Sequence, residues 1–369
     1  MAHSKRFAIF IDTRRTKIWC CNCLSLMHRL PLILGLFEKR IAGDDALLEL
    51  ARLRFRQAGL GAEMHAHNPA QLEQLLPFRP SPDTPVIVHL SRDLNLPDER
   101  SRERIIEFAT RFAGRVCGLV VHDRPEIASH AEVFLQAAQD LDQRLQTIAD
   151  CPTVFVEYAA GLAPEVFVGF IKSIRGLGRI SACIDIGHVG IQQARVAYAA
   201  AHPGKDICAL RSQASSLVLP EVESAVATAL PVVLKLIADL GTLGKPVHFH
   251  LHDGHPLSTF SPFGVSDHLS FLMKIPLSFE FRGRRAVPLM FGPTGLARIV
   301  TKAIKAIGPE RLSLTLEIHP AFERLSLGDA APLFAHWRDT THAEQMNHWL
   351  SVLKQNQDLV LNAQRALDA

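Results

Sequence analysis

Short apolar runs recur along this chain, and most of them end on a histidine or a carboxylate. They read VIVHL to His89, GLVVHD to His122, TVFVEY through Glu157, ACIDIGH through Asp185 and His188, VHFHLHD through His250, His252 and Asp253, and LTLEIH through Glu317. Runs of this length, rich in Val, Ile and Phe, predict β-strands. Helical periodicity fills most of the intervals. In residues 44–58, Leu47, Leu48, Leu50, Leu53 and Phe55 form one stripe, and Gly59 and Gly61 end it.

The full rhythm predicts eight strands: 30–37, 62–65, 85–90, 116–122, 153–157, 180–186, 246–251 and 312–317. Helices are expected at about 98–113 and 129–148, from Pro164 as a first helical residue, at 221–240 and through GLARIVTKAIKAIG. A long connection is expected between residue 186 and the 221–240 helix, and a last amphipathic helix at 342–366. Strands alternating with helices predict an α/β chain folded as a single (β/α)8 TIM barrel. Its expected parts are an N-terminal extension (1–28), the barrel (29–330) and a C-terminal helical tail packed on it (331–369). A doubly wound open sheet would carry a glycine-rich phosphate loop after its first strand, and the sequence has none there.

Composition narrows the class. The net charge of +3 over 369 residues is close to neutral, with no dense Lys/Arg patch. That argues against a protein devoted to nucleic-acid backbones. Seven cysteines at irregular spacing do not form a disulfide framework, and a reducing cytoplasm is the expected compartment. The apolar stretch at 24–37 is interrupted by His28, Arg29 and Pro31, so no membrane span is expected. The IWCCNC segment lacks a second cysteine pair and is a weak metal signal.

In a barrel of this type the chemistry comes from the C-terminal ends of the strands. His89, His122, Glu157, Asp185, His250 and Glu317 all hold that position. Any one of them could be a hydrogen-bonded polar residue at a strand edge; six together point to a metal centre. A carboxylate that ends an apolar strand is costly to bury unless it is paired or metal-bound. His248, His250 and His252 have period two and face one side, spread along the barrel axis. His250 is the expected ligand of the three, with His248 deeper and His252 and Asp253 at the rim. Carboxylates with imidazoles suit Zn²⁺, Mn²⁺ or Mg²⁺, and extra imidazoles favour Zn²⁺ or Mn²⁺.

With these residues in place, the chain resembles the xylose isomerase-like TIM-barrel superfamily over about residues 30–325, most clearly at ACIDIGH. In its isomerase and epimerase branch the resemblance implies one divalent metal held by Glu157, Asp185, His250 and Glu317. The two glutamates would be catalytic, taking and returning a proton through a metal-stabilised enediolate of a sugar or sugar phosphate. In its endonuclease-IV-type branch the resemblance implies up to three zinc ions, phosphodiester hydrolysis and a DNA substrate. His89, His122, His188 and His268 would then add ligands, with Asp267 and His252 as further candidates for metal or substrate. Isomerase or epimerase activity is the first expectation. A zinc phosphoesterase is the second, and a non-catalytic metal-binding barrel the third. A homo-oligomer is compatible with the apolar tail. Residues 269–292 depart from the family pattern, being apolar with Arg282, Arg284 and Arg285, and read as a packed insertion or a lid.

Overall fold

The structure, a computed structural model, describes residues 32–37, 45–212, 219–256, 280–281, 284–285, 290–317 and 342–369. Residues 1–28, Asp267, His268 and most of 269–292 lie outside the described residues.

Eight strands form a closed parallel ring: β1 (Leu32–Phe37), β2 (Gly61–His65), β3 (Val86–His89), β4 (Gly118–His122), β5 (Thr153–Glu157), β6 (Ile180–Asp185), β7 (Val247–Leu251) and β8 (Leu312–Leu316). Each pairs with the next, and β8 returns to β1 through Leu32 beside Ser313. The fold is therefore an α/β (β/α)8 barrel, as the strand–helix rhythm predicts.

The helices are α1 (Asp45–Ala58), α2 (Pro69–Leu75), α3 (Glu99–Arg111), α4 (Ile127–Gln146), α5 (Pro164–Ser173), α6 (Ile186–Ala201), α7 (Leu219–Ala227), α8 (Ala229–Gly241), α9 (Gly292–Ile307) and α10 (His342–Asp368). Three differ from the sequence expectation. The connection after β6 holds a helix, α6, that begins at the strand's last residue. The single helix expected at 221–240 is two, α7 and α8. The short α2 follows Asn68, whose side chain accepts the Gln71 N–H as an N-cap, with Pro69 at the first position.

Strand alternation sorts the side chains into two cores. Outward-facing Met64, Val88, Val121, Val156, Ile184, Phe249 and Leu314 pack beneath the helices. Inward-facing Leu34, Ile87, Val120, Phe155 and Cys183 form a separate apolar floor within the barrel. Both faces are buried, so the strands read as continuous apolar runs rather than as alternation. Above the floor the inner positions turn polar: Ile87 is followed two residues on by His89, Val120 by His122, Phe155 by Glu157 and Cys183 by Asp185. The alternation thus delivers the polar groups to the C-terminal mouth.

The last helix, α10, lies against α1 and α9. Leu353 and Val360 are buried there, and Gln357 Nε2 donates to the Ala58 carbonyl at 2.6 Å. Pro220–Gly241, spanning α7 and α8, is the one described stretch long and apolar enough to cross a membrane. In the fold Val233, Leu236, Ile237 and Leu240 of that stretch are buried in the helix–barrel core.

Candidate metal centre

The four core candidates converge. Glu157 ends β5 and Asp185 ends β6, while His250 lies beside Asp185 in the β6–β7 register and Glu317 follows β8. Ligand atoms of Glu157, Asp185 and His250 lie within 4.8 Å of one another. Glu317 joins them, with Oε2 3.3 Å from His250 Nδ1. His89 and His122 come in from β3 and β4, their Nε2 atoms 2.9 and 3.2 Å from Glu157 Oε2. The other oxygen of Glu157, Oε1, faces His250 Nδ1 at 3.2 Å. His188 Nδ1 stands 3.3 Å from Asp185 Oδ2, and His252 Nε2 stands 2.7 Å from Asp185 Oδ1. Two further ligand groups result, His89–His122–Glu157 and Asp185–His188–His252.

Asp185 has a second task. It is the N-cap of α6, and its Oδ1 accepts the His188 N–H at 2.8 Å. The D-x-x-H spacing is thus a helix start, with Gly187 in the first turn of α6. His252 and Asp253, expected at the rim, are fully buried. Asp253 accepts the N–H groups of Gly254, Phe291 and Gly292, which ties the end of β7 to the start of α9. Asp123 does the same beside His122, accepting the N–H groups of Ala159 and Ala160 in the loop after β5. Burial raises the Asp123 carboxyl to about 7 and that of Asp253 to about 6, against the hydrogen bonds that favour charge.

The orientation of the rings tests whether a cation fits. His89 Nδ1 donates to the Leu90 carbonyl at 3.1 Å, and His252 Nδ1 donates to the Asp253 carbonyl at 3.0 Å. His250 Nε2 lies 3.0 Å from Glu63 Oε1. One nitrogen of each ring is therefore held by a fixed acceptor, and the other points at a carboxylate oxygen. Two lone pairs so close repel unless a proton or a cation lies between them. Ligand histidines in metal centres are oriented by this kind of outer hydrogen bond. Asp185 Oδ2 is buried and makes no well-formed hydrogen bond, only the 3.3 Å approach of His188 Nδ1, which is consistent with the same need. The donor set fits a divalent ion.

Burial opposes charge on His250, yet Cys183 and the carboxylates of Glu63, Glu157 and Glu317 raise it well above the usual imidazole range. Burial likewise opposes charge on His252, and Asp185 outweighs it and lifts the ring to about 9. For Glu157, burial would raise the carboxyl, but His122, His250 and His89 hold it well below the usual range.

Sequence reasoning missed Glu63. It projects inward from β2, is 1% exposed and binds His248 and His250 together. The signal was available: in GAEMH, Ala62 and Met64 face the helices, so Glu63 and His65 face the barrel axis. His65 stacks on His89 with ring centroids 4.5 Å apart. His248, expected deeper, does lie below His250, with Nδ1 2.8 Å from Ser313 Oγ.

No family model matches the chain, and no curated protein matches it in sequence. Among solved structures, the carboxyl transferase domain of Rhizobium etli pyruvate carboxylase, bound to pyruvate, aligns with 98% of this chain and 54% of its own, at 11% identity and a TM-score of 0.40. The same domain bound to oxalate gives 10% identity and a TM-score of 0.40. A Thermobacillus composti GH10 xylanase aligns with 78% of this chain and 84% of its own, at 13% identity and a TM-score of 0.39. The chain spans about half the length of the carboxyl transferase chains. Likenesses this distant carry no argument about chemistry, and the chain is assigned to the (β/α)8 barrels on its own closed ring of eight parallel strands.

Proposed function

We propose that this protein is a metal-dependent hydrolase of phosphoesters, with more than one divalent cation at the mouth of its barrel. The observation that carries this reading is the position of Glu157. Its Oε2 serves His89 and His122, and its Oε1 serves His250. A carboxylate that offers one oxygen to each of two groups of imidazoles would be held in common by both groups if each took a cation. Glu157, Asp185, His250 and Glu317 would hold one ion, and His89 and His122 would hold a second together with Glu157. His188 and His252 offer a further group with Asp185. The abundance of imidazole favours zinc over magnesium. Bound divalent ions would supply Lewis acidity and neutralise charge on a phosphoryl group.

The chain's own residues have separable tasks. Glu157 and Asp185 hold the histidines in register across adjacent strands, while Leu90 and Asp253 lend backbone carbonyls that turn His89 and His252 inward. The near-neutral charge suits a small phosphoester better than a long nucleic-acid backbone. The resemblance to endonuclease-IV-type enzymes supports the same class, and a DNA substrate belongs in the test panel.

A second reading is a mononuclear sugar or sugar-phosphate isomerase or epimerase. It is favoured by Glu157 and Glu317, which approach His250 Nδ1 at 3.2 and 3.3 Å and could take and return one proton. The outer histidines would then bind substrate.

Metal analysis of protein purified without added metal separates the two, combined with turnover on phosphoester and sugar panels. Two or three zinc ions per chain with phosphoester cleavage supports the first reading. One ion per chain with sugar interconversion supports the second. A metal-free protein inert on both panels after zinc or manganese is added would exclude both.

A further inference from the structure

We infer that Glu63 is a positioning residue for the metal centre: by holding Nε2 of His250 it makes Nδ1 the nitrogen that ligates. The inference rests on the reading of the site as a metal centre and adds to it a residue from a strand, β2, that contributes none of the core ligands.

Glu63 is placed to act from below. It is fully enclosed, and both of its oxygens are engaged. Oε1 lies 3.0 Å from His250 Nε2, and Oε2 lies 3.0 Å from His248 Nε2 and also accepts from the Thr315 hydroxyl. His248 is itself fixed through Ser313 Oγ at 2.8 Å. The carboxylate is thus a junction of β2, β7 and β8, met by three polar side chains, His248, His250 and Thr315. A buried carboxylate is retained at little cost only when each of its oxygens is satisfied. Here the satisfaction has a direction: the proton on His250 Nε2 points down at Glu63, and Nδ1 points up between Glu157 and Glu317. The opposite assignment would leave Glu63 facing a lone pair.

Glu63 is also near enough to His89 and His250 to be a ligand itself. Its full set of hydrogen-bond donors argues for the supporting role, since a cation would have to displace one of them.

The test uses the full chain labelled with ¹⁵N-histidine, titrated with zinc, beside the Glu63→Gln and Glu63→Leu variants. The expected result is a His250 Nε2–H signal present both before and after zinc, with the zinc-induced shift on Nδ1. Removing an outer partner of a ligating histidine weakens metal binding by about 10- to 100-fold. Glu63→Leu should fall at the upper end of that range. Glu63→Gln, which still offers one carbonyl oxygen, should fall at the lower end and covers the case in which the leucine variant fails to fold. Loss of the Nε2–H signal on zinc addition would make Glu63 a ligand and overturn the inference. Wild-type zinc affinity in Glu63→Gln and in a folded Glu63→Leu would overturn it too. Zinc binding that needs Glu157 but not Glu63 overturns this inference alone. Absence of zinc binding in the wild-type chain removes the metal centre, and the inference with it.

Discussion

A Cβ added to Gly187 would stand 2.0 Å from Cε1 of His252, inside the ring's own van der Waals envelope. The first turn of α6 therefore lacks a side chain at that point because the imidazole on Asp185 occupies the space. The contact is with a fully buried ring held at both nitrogens, by Asp185 and by the Asp253 carbonyl, so neither partner can yield cheaply.

Gly187→Ala is accordingly expected to push His252 off Asp185. Overpacking of this kind costs about 1–3 kcal/mol, readable as a lower urea midpoint. Zinc affinity should fall about tenfold or more if His252 helps to hold Asp185 in place or ligates directly. Unchanged stability and unchanged zinc affinity would show that α6 can shift to admit the methyl group.

Glu157 and Glu317 differ in what their loss should do. Glu157→Gln keeps the shape but can no longer accept from His89, His122 and His250 together, so both metal content and turnover should fall. Glu317→Gln touches fewer histidines. It should retain most of the metal and lose about 100-fold or more in turnover if it is an acid–base group. Metal content and kcat measured on the same preparations check both, and full activity in either variant would remove that residue from the mechanism.

Metal uptake should release protons. Burial disfavours a charged His252, but Asp185 outweighs it and lifts the ring to about 9. That folded value lies above the unfolded value of about 6.5. The ion pair therefore stabilises the ion-free chain fully below about pH 6.5, and this contribution is lost as the pH rises through about 9. Zinc needs the neutral ring, so its affinity should climb with pH up to about 9. Calorimetric titration at pH 7 in two buffers of different ionisation enthalpy should give different heats; equal heats would count against protonated histidines at the site.

Phe155 should matter to the fold rather than to chemistry. It fills the barrel floor with Leu34, Ile87, Val120 and Cys183, and its ring lies 5.5 Å from His248. Phe155→Ala opens a cavity and should cost about 3–5 kcal/mol, visible in denaturant unfolding. A stability near wild type would mean that the floor collapses to fill the space.

Strand ends were legible because a buried parallel strand must be apolar on both faces, so a terminal His or carboxylate stands out against it. Glu157, Asp185, His250 and Glu317 are found this way. Glu63 was not, because it lies inside a five-residue strand whose polar inner face resembles a surface one. Helix α6 was not, because glycines at 187 and 190 weaken a helical pattern. Both are small to admit neighbours, His252 in one case and Met290 with Phe291 in the other. Those neighbours are distant in sequence, so nothing local announces them.

The sequence by itself determined the barrel and the chemical kind of its mouth, since hydrophobic period and the residue ending each strand are local properties. The tertiary structure alone decided which groups meet. The division of Glu157 between two sets of imidazoles, the double use of Asp185 as cap and partner, and the carboxylate of Glu63 beneath His250 depend on ring closure and stagger. The physical reason is that a strand's own sequence sets which face a side chain takes, whereas its height against partners from other strands is set by the register of all eight.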